Sequence, residues 1–140
     1  MSARPSLSSL QLITEASQYQ QMRQAFGASG GIATCDDVVA SLARFTSQPI
    51  SRFARWIVDD EVLRFQWQGC MRLPLFQFDA TWMAPDPSVT PIIRELLHTF
   101  HEWDACLWFA EPNAWLGDAL PVELLRKDAG AVLDAARADR

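Results

Sequence analysis

Apolar residues recur every three or four positions along several stretches of this chain, a period typical of helices that bury one face. Near the N-terminus, four residues of a Gln- and Ser-rich stretch share this spacing: Leu12, Ala16, Tyr19 and Phe26. The pair Gly30-Gly31 follows, and paired glycines favour a break in regular structure. We therefore predict a marginal helix within a variable N-terminal arm, residues 1–31.

Two short helices are predicted next, on either side of the polar sequence Thr46-Ser47-Gln48. Thr34 can cap the first helix, which we expect to end near Phe45. Pro49 suits the first turn of the second helix, whose apolar face continues to Ile57. Two short helices joined by a polar turn form a candidate helix-turn-helix.

The apolar period changes to two between residues 62 and 73, as expected for strands with one buried face. Leu63, Phe65 and Trp67 alternate with polar residues, and Gln68-Gly69 can supply a turn. This pattern predicts a β-hairpin. Pro74 lacks the backbone donor of a central strand, so we expect the chain to leave the sheet there.

Helical periodicity returns in the C-terminal part of the chain. The strongest pattern begins at Pro91, and Thr90 is its predicted cap. A second apolar helix is predicted at residues 103–109 and is interrupted near Pro112, which lacks a backbone donor. Two more helices are predicted beyond a corner that ends at Gly117. Pro121 can start a short helix that runs to Leu125, and Asp128 can cap the final helix.

These elements predict a mainly α fold with a small β-hairpin, in which a helix-turn-helix-like region precedes a C-terminal helical subdomain. The expected divisions are residues 1–31 for the arm, 32–85 for the helix pair with the hairpin, and 86–140 for the helical domain.

Composition limits the classes of function. The net charge of −5 argues against strong nonspecific adhesion to nucleic acid, which depends on Lys and Arg at phosphates. No apolar run approaches the ~20 residues of a membrane span, and no secretory signal is recognisable, so we expect a cytoplasmic protein without membrane attachment. The three cysteines form no C-x-x-C pair, which favours buried thiols over disulfides or a zinc ribbon.

Two clusters of polar residues are candidates for chemistry. His98 and His101 are three residues apart on the same predicted helix and could share a metal, although exposed or structural histidines are the favoured interpretation. Asp59-Asp60-Glu61 could be a catalytic carboxylate cluster, but a solvated connection is favoured. The chain lacks a G-x-S-x-G motif and a phosphate loop, so we expect neither enzymatic activity nor a bound cofactor.

The second helix of the candidate pair offers a possible DNA-binding surface near its start and along its outer face. The residues in question are Ser47, Gln48, Ser51, Arg52 and Arg55. Residues 34–57 carry three arginines and two aspartates, a local charge of 3 − 2 = +1. This weak charge leaves operator binding and a purely structural helix pair equally open.

Large rings are concentrated between residues 103 and 115, where the candidates are Trp103, Trp108, Phe109 and Trp115. Aromatic side chains dominate burial in small domains, so we expect three of the four to lie in the core. An exposed Trp among them would be a plausible interface anchor.

Three segments in order carry a family resemblance: Leu73-Pro74-Leu75-Phe76-Gln77-Phe78-Asp79, the stretch from Trp108 to Gly117, and Pro121-Val122-Glu123-Leu124-Leu125. A Trp, a Pro-Asn corner, a Leu-Gly and a Pro-x-x-Leu-Leu follow one another. From Leu73 onward the chain resembles the bacterial Xre/MbcA/ParS-type antitoxin family.

The resemblance implies that the C-terminal helical domain binds a cognate toxin, commonly a RES-domain enzyme that degrades NAD. It also implies an N-terminal helix-turn-helix that dimerises or binds operator DNA. We expect a homodimer whose partner surface includes the corner and the basic C-terminal residues: Trp108, Pro112, Asn113, Trp115, Leu116, Gly117, Arg126, Lys127, Arg137 and Arg140. The alternative is an interaction or regulatory protein without a toxin partner.

Overall fold

The computed structural model describes residues 9–79 and 83–139. Seven α-helices lie in these ranges: α1 Ser9–Phe26, α2 Cys35–Leu42, α3 Pro49–Val58, α4 Thr90–Leu97, α5 Glu102–Trp108, α6 Pro121–Leu124 and α7 Ala129–Asp139. The strands are β1 Ile32–Thr34, β2 Phe65–Trp67, β3 Cys70–Pro74, β4 Phe78–Asp79 and β5 Ala84–Pro85. The predicted mainly α fold with a small hairpin is confirmed.

The hairpin pairs β2 with β3 in an antiparallel register that places Trp67 opposite Cys70. Gln68 and Gly69 turn the chain, both with positive φ (51° and 73°), as a two-residue hairpin loop requires. Strand β1, which the sequence did not predict, pairs with the other edge of β3 and places Thr34 opposite Arg72. The sheet order is therefore β1-β3-β2.

Several predicted helix boundaries are confirmed. Thr34 caps α2, because its Oγ1 accepts a hydrogen bond from the Asp37 backbone amide at 3.2 Å. Pro49 starts α3, and Asp128 accepts from the amide of Ala131 at 3.0 Å in the first turn of α7. Pro121 starts α6, which ends one residue before the predicted Leu125.

Two boundary predictions are wrong. Thr90 does not cap α4; Val89 occupies that position, and the Thr90 hydroxyl instead donates to the Asp86 carbonyl at 3.3 Å. Helix α2 ends at Leu42 rather than near Phe45, which is 46% exposed. Leu42 is the last apolar residue on the buried face of α2, so the chain can turn into the loop directly after it.

Two groups of buried side chains form the interior. The larger joins α1 and the C-terminal helices to the hairpin, and it includes Met22, Phe65, Ile92 and Phe109, each no more than 1% exposed. The smaller lies between α2, α3 and β3 around Leu42, Trp56 and Leu73, among others. The larger group draws residues from all three predicted divisions, so the packing crosses their boundaries.

The N-terminal segment is more than an arm. Phe26 is fully buried, Gln21 Nε2 donates to the Ala110 carbonyl at 2.9 Å, and Trp103 Nε1 donates to Gln18 at 2.8 Å. The second half of α1 is therefore part of the C-terminal core. In the described ranges, no helix is both long and apolar enough to cross a membrane.

Candidate partner-binding site

The Pro112–Gly117 corner follows α5 and has a defined backbone. Asn113 is extended, and its Oδ1 accepts a hydrogen bond from the Trp115 amide at 2.9 Å, which starts a short 3-10 turn at Ala114–Leu116. The turn ends at Gly117 with φ of 63°, and Asp118 also has positive φ, 66°. Gly117 therefore occupies a left-handed position that glycine adopts at little cost.

The carboxylate of Asp139, at the end of α7, holds this corner. Trp108 Nε1 and Asn113 Nδ2 both donate to its Oδ2, at 2.8 and 3.0 Å. Trp115 Nε1 donates to its Oδ1 at 3.1 Å. Three side chains of the family-like motif thus converge on one carboxylate from 24 to 31 residues away along the chain.

The position of Asp139 at the end of α7 gives these contacts a stabilising role. An acidic side chain at a helix C-terminus opposes the negative end of the helix dipole. The three donors offset this effect, because hydrogen bonds to a charged acceptor are stronger than neutral ones. Loss of Asp139 would leave the buried donors of Trp108 and Asn113 without their partner.

Solvent exposure distinguishes the residues that support the corner from those that form its surface. Trp108 and Asn113 are only 8% and 7% exposed, whereas Trp115 is 66% exposed. A partner docked on this face would meet Trp115 but could not reach Trp108 or Asn113 directly. These two residues, predicted as partner contacts, are instead placed where they support the corner, while Pro112 and Gly117 are exposed and Leu116 is half-buried.

The prediction for the four large rings is confirmed. Phe109 is fully buried, Trp108 is nearly so, and Trp103 is partly buried against Phe65 with ring centroids 5.5 Å apart. Trp115 is the exposed ring. Its indole N–H is nevertheless bonded, so the side chain is held in place while its apolar faces contact solvent.

The basic residues predicted for this surface do not form one patch. Arg126 and Lys127 are exposed beyond α6, at the N-terminal end of α7. Arg137 lies near the other end of α7, about 12 Å along the helix from its first residue at 1.5 Å per residue, and its Nε is 3.5 Å from Glu95 Oε1. Arg140 lies outside the described residues. Arg137 is two residues before Asp139 in α7, and its guanidinium also lies 3.9 Å from Asp134.

Arg126 lies between two surface depressions of about 420 and 400 Å³. One contains Phe76, Val122 and Asp86, and the other contains Val38, Leu75 and Asp37, among others. Arg126 therefore lines both depressions.

All five residues predicted for DNA contact lie together. Ser47, Gln48, Ser51, Arg52 and Arg55, joined by Thr46, line a depression of about 390 Å³ at the start of α3, and all five are exposed. The loop between α2 and α3 has six residues, longer than the three or four of a typical helix-turn-helix. The helix pair is present, and its assignment as a helix-turn-helix stays a prediction.

The two histidines do not share a helix. Helix α4 ends at Leu97, so that His98 follows it and His101 precedes α5, and both are exposed. The chain leaves the helical conformation at residues 98–101, and the regular spacing of apolar residues in the sequence did not indicate this break. Among the described residues, no group of three or more His, Cys, Asp or Glu is arranged to hold a metal ion.

The acidic run Asp59-Asp60-Glu61 contributes to ion pairs. Asp60 Oδ1 lies 3.1 Å from Arg64 Nη1, and Glu61 Oε1 lies 3.9 Å from Arg94 Nη2. Arg64 is buried and also pairs with Glu102 at 3.2 Å. Asp60 and Glu61 therefore have structural partners at the start of the hairpin.

Two important polar residues were missed by the sequence analysis. Asp139 was treated only as part of a final helix, and Gln77 only as part of a motif. Gln77 is fully buried: its Oε1 accepts from the Leu63 amide at 2.6 Å, and its Nε2 donates to the carbonyls of Leu63 and Pro74. A polar residue between Phe76 and Phe78 was the available signal that Gln77 satisfies buried backbone groups.

Comparison with known proteins identifies no relative. No protein-family model matches the chain, and neither a curated protein nor a solved structure gives a significant match.

Proposed function

We propose that this chain is an antitoxin-like protein that binds a cognate toxin through the Trp115 corner and the adjoining end of α7. The observation that carries the proposal is the state of Trp115: it is 66% exposed, yet its indole N–H is bonded to Asp139. The side chain is therefore already ordered in the free protein, so that little of its conformational entropy is lost when a partner binds.

The chemistry of the corner fits a protein partner. Exposed Trp side chains are enriched among residues that dominate protein–protein binding, because they bury a large apolar area together with one polar atom. Arg137, two residues before Asp139 in α7, is half exposed and pairs with Glu95, and a partner carboxylate or phosphate could share this cation. The motif resemblance supports a RES-type enzyme that degrades NAD as the class of toxin, with the protein acting in the cytoplasm and not itself as an enzyme.

Coexpression tests the function. The product of the adjacent open reading frame is expressed in a bacterial host with and without this chain, and cellular NAD and growth are measured. The proposal predicts that the neighbouring product lowers NAD and that this chain restores it. A neighbouring product that neither lowers NAD nor binds this chain would favour the alternative, an interaction protein without a toxin.

Point substitutions identify the surface better than truncation does. Deleting residues 137–140 would remove Asp139 together with the basic residues, so loss of inhibition could result from a collapsed corner. Arg126→Ala with Lys127→Ala tests the distant cations separately from Trp115→Ala. We expect the Trp115 change to weaken inhibition more, because Arg126 and Lys127 lie at the far end of α7.

A second candidate function is operator binding, supported by the convergence of Ser47, Gln48, Ser51, Arg52 and Arg55 on one depression. Arg52 and Arg55 form no ion pair among the described residues, so their charges are available to phosphates. Fluorescence anisotropy with DNA from upstream of the gene would measure binding across salt concentrations. Each Arg→Ala change should reduce the salt slope by about 1, while Arg23→Ala on α1 serves as the control of equal charge.

A further inference from the structure

A groove runs across the surface on both sides of Arg126. It consists of the two depressions of about 420 and 400 Å³, whose linings have Ser29 and Arg126 in common, so that they adjoin at these two residues. The apolar walls of the first include Phe76, Val89, Val122 and Leu125, and those of the second include Ala33, Val38, Leu75 and Phe78. The groove is therefore apolar on each side of one cationic side chain.

Local backbone geometry holds the two shared residues in place. Arg126 lies in the turn between α6 and α7, where two successive backbone amides donate to the Leu124 carbonyl at 3.1 and 2.8 Å. Ser29 precedes Gly30, whose φ is 111°, and a Cβ at Gly30 would lie only 3.0 Å from the Cβ of Leu75. Glycine therefore allows the turn that carries Ser29 to approach the apolar wall closely.

The guanidinium of Arg126 has no acidic partner within residues 9–79 and 83–139, whereas Arg64 and Arg94 both form ion pairs there. Asp86 lines the first depression and Asp37 the second, but neither pairs with Arg126. Arg126 is exposed, and a guanidinium can bind a carboxylate through two parallel hydrogen bonds. The groove is thus complementary to a ligand that has one carboxylate between two apolar groups.

We propose that the groove binds a short extended segment of a partner protein, in which one acidic residue lies between two apolar residues. The acidic side chain pairs with Arg126, and the apolar side chains enter the depressions on either side. In an extended segment, residues i, i+2 and i+4 point to the same side and span about 13 Å, a spacing that suits two adjoining depressions. Removing the apolar walls from water favours the association.

Asp37 and Asp86 restrict the charge of the segment. Each lines one of the two depressions, so a run of acidic residues would bring carboxylates close to like charges. Asp86 Oδ1 accepts hydrogen bonds from the amide and the hydroxyl of Ser88, at 2.9 and 2.8 Å, which fix the carboxylate in the lining. The groove therefore selects a single acidic residue over an acidic run.

This surface is separate from the Trp115 corner. Arg126 lies three positions before the first residue of α7, whereas Trp115 is bonded to Asp139, the last residue of that helix. The groove is thus a second interaction surface, and the inference does not depend on toxin binding at the corner.

Fluorescence anisotropy with labelled synthetic peptides tests the class of ligand. In the panel, one or two Ser residues separate a central Glu from a Leu on each side. We expect at least one peptide to bind, and its Kd to rise at least about fivefold when Gln replaces Glu or when Ser replaces either Leu. Binding by no member of the panel, or binding that does not require Glu and both Leu residues, would overturn the proposal.

Substitutions in the protein test the location. Arg126→Ala should raise the Kd of the peptide at least about fivefold. Lys127→Ala is the matched control, because Lys127 is an exposed neighbouring cation that lines neither depression. Ser29→Phe, which places a ring where the depressions adjoin, should weaken binding with the fold intact by circular dichroism. Equal effects of the Arg126 and Lys127 changes would overturn the assignment.

Charge reversal and a small amphiphile complete the test. Arg126→Glu should bind the peptide with Lys in place of Glu more tightly than the original peptide, and the opposite preference would contradict the pairing. Octanoate has one carboxylate and one apolar chain. Octanoate binding that requires Arg126, with no peptide of the panel bound, would assign the groove to a small molecule and overturn the peptide proposal. Neither result bears on inhibition of a toxin through Trp115.

Discussion

The indole Nε1 of Trp115 donates to Asp139 Oδ1 at 3.1 Å, which links the corner after α5 to the last turn of α7. The two residues are 24 positions apart, and the same carboxylate accepts from Trp108 and Asn113. The conformation of the exposed ring therefore depends on a residue that is distant along the chain but in direct contact with it.

Replacing Asp139 with Ala should loosen the corner and lower the free energy of unfolding by about 1–3 kcal/mol, because two buried donors lose their acceptor. Urea denaturation followed by circular dichroism measures the change. Asp134→Ala is the control: Asp134 is on the same helix, its side chain is 80% exposed, and it makes only a 3.9 Å ion contact with Arg137. Equal stability of the two variants would contradict a structural role for Asp139.

Gln77→Leu tests the buried polar contact beneath the hairpin. The substitution keeps a similar volume but removes the partner of the Leu63 amide and of two carbonyls. We expect a loss of about 2–4 kcal/mol in the free energy of unfolding, since these backbone groups would stay buried without partners. Gln66→Leu, at an exposed position of β2, is the matched control and should change stability little. A Gln77 variant as stable as its parent would contradict this role of the buried amide.

Glu111, which precedes Pro112, gives a prediction for pH dependence. Desolvation raises the pKa of its carboxyl, and the Asp104 carboxylate adds to the effect. An acid whose pKa is raised by folding destabilises the folded state when it is ionised. The stability of the folded state is therefore fully kept below the ordinary pKa of the carboxyl and is reduced as pH rises through the pKa of the folded state. Glu111→Gln should therefore raise Tm near pH 7.5, by no more than about 2 °C because the group is largely solvated.

Thermal scans at pH 7.5 and pH 4 provide the measurement for Glu111. The gain from the substitution should shrink or vanish at pH 4, where the native carboxyl is largely protonated. Asp118→Asn, a neighbouring exposed acid, is the comparison. A gain that is equal at both pH values would exclude the electrostatic explanation.

Local signals were sufficient for much of the fold. Pro49, Asp128 and the Gln68-Gly69 turn act through backbone geometry and hydrogen bonds within a few residues, so a single sequence contains what is needed. The one exposed ring among four was also predictable, from the limited room of a small core. Strand β1 was not, because three residues are too few to display a period of two.

Contacts between distant segments account for what was missed. Gln21 bonds to the Ala110 carbonyl across 89 positions, and nothing near Gln21 in the sequence indicates that α1 joins the C-terminal core. The role of Asp139 likewise depends on how α7 packs against the Ala114–Leu116 turn. Trp108 and Asn113 carried the motif, but their burial could not be distinguished from surface contact without the three-dimensional arrangement.

The central claim, that the Trp115 corner binds a partner protein, is tested most directly by the affinity for the product of the adjacent open reading frame. Isothermal titration calorimetry would compare the parent with Trp115→Ala and with Ile13→Ala, a control at nearly the same exposure on α1 (65% against 66%). The account predicts that Trp115→Ala raises Kd by about 30-fold or more, as expected when an anchor residue is removed, with the fold intact by circular dichroism. An unchanged Kd for Trp115→Ala, with binding by the parent established, would contradict it.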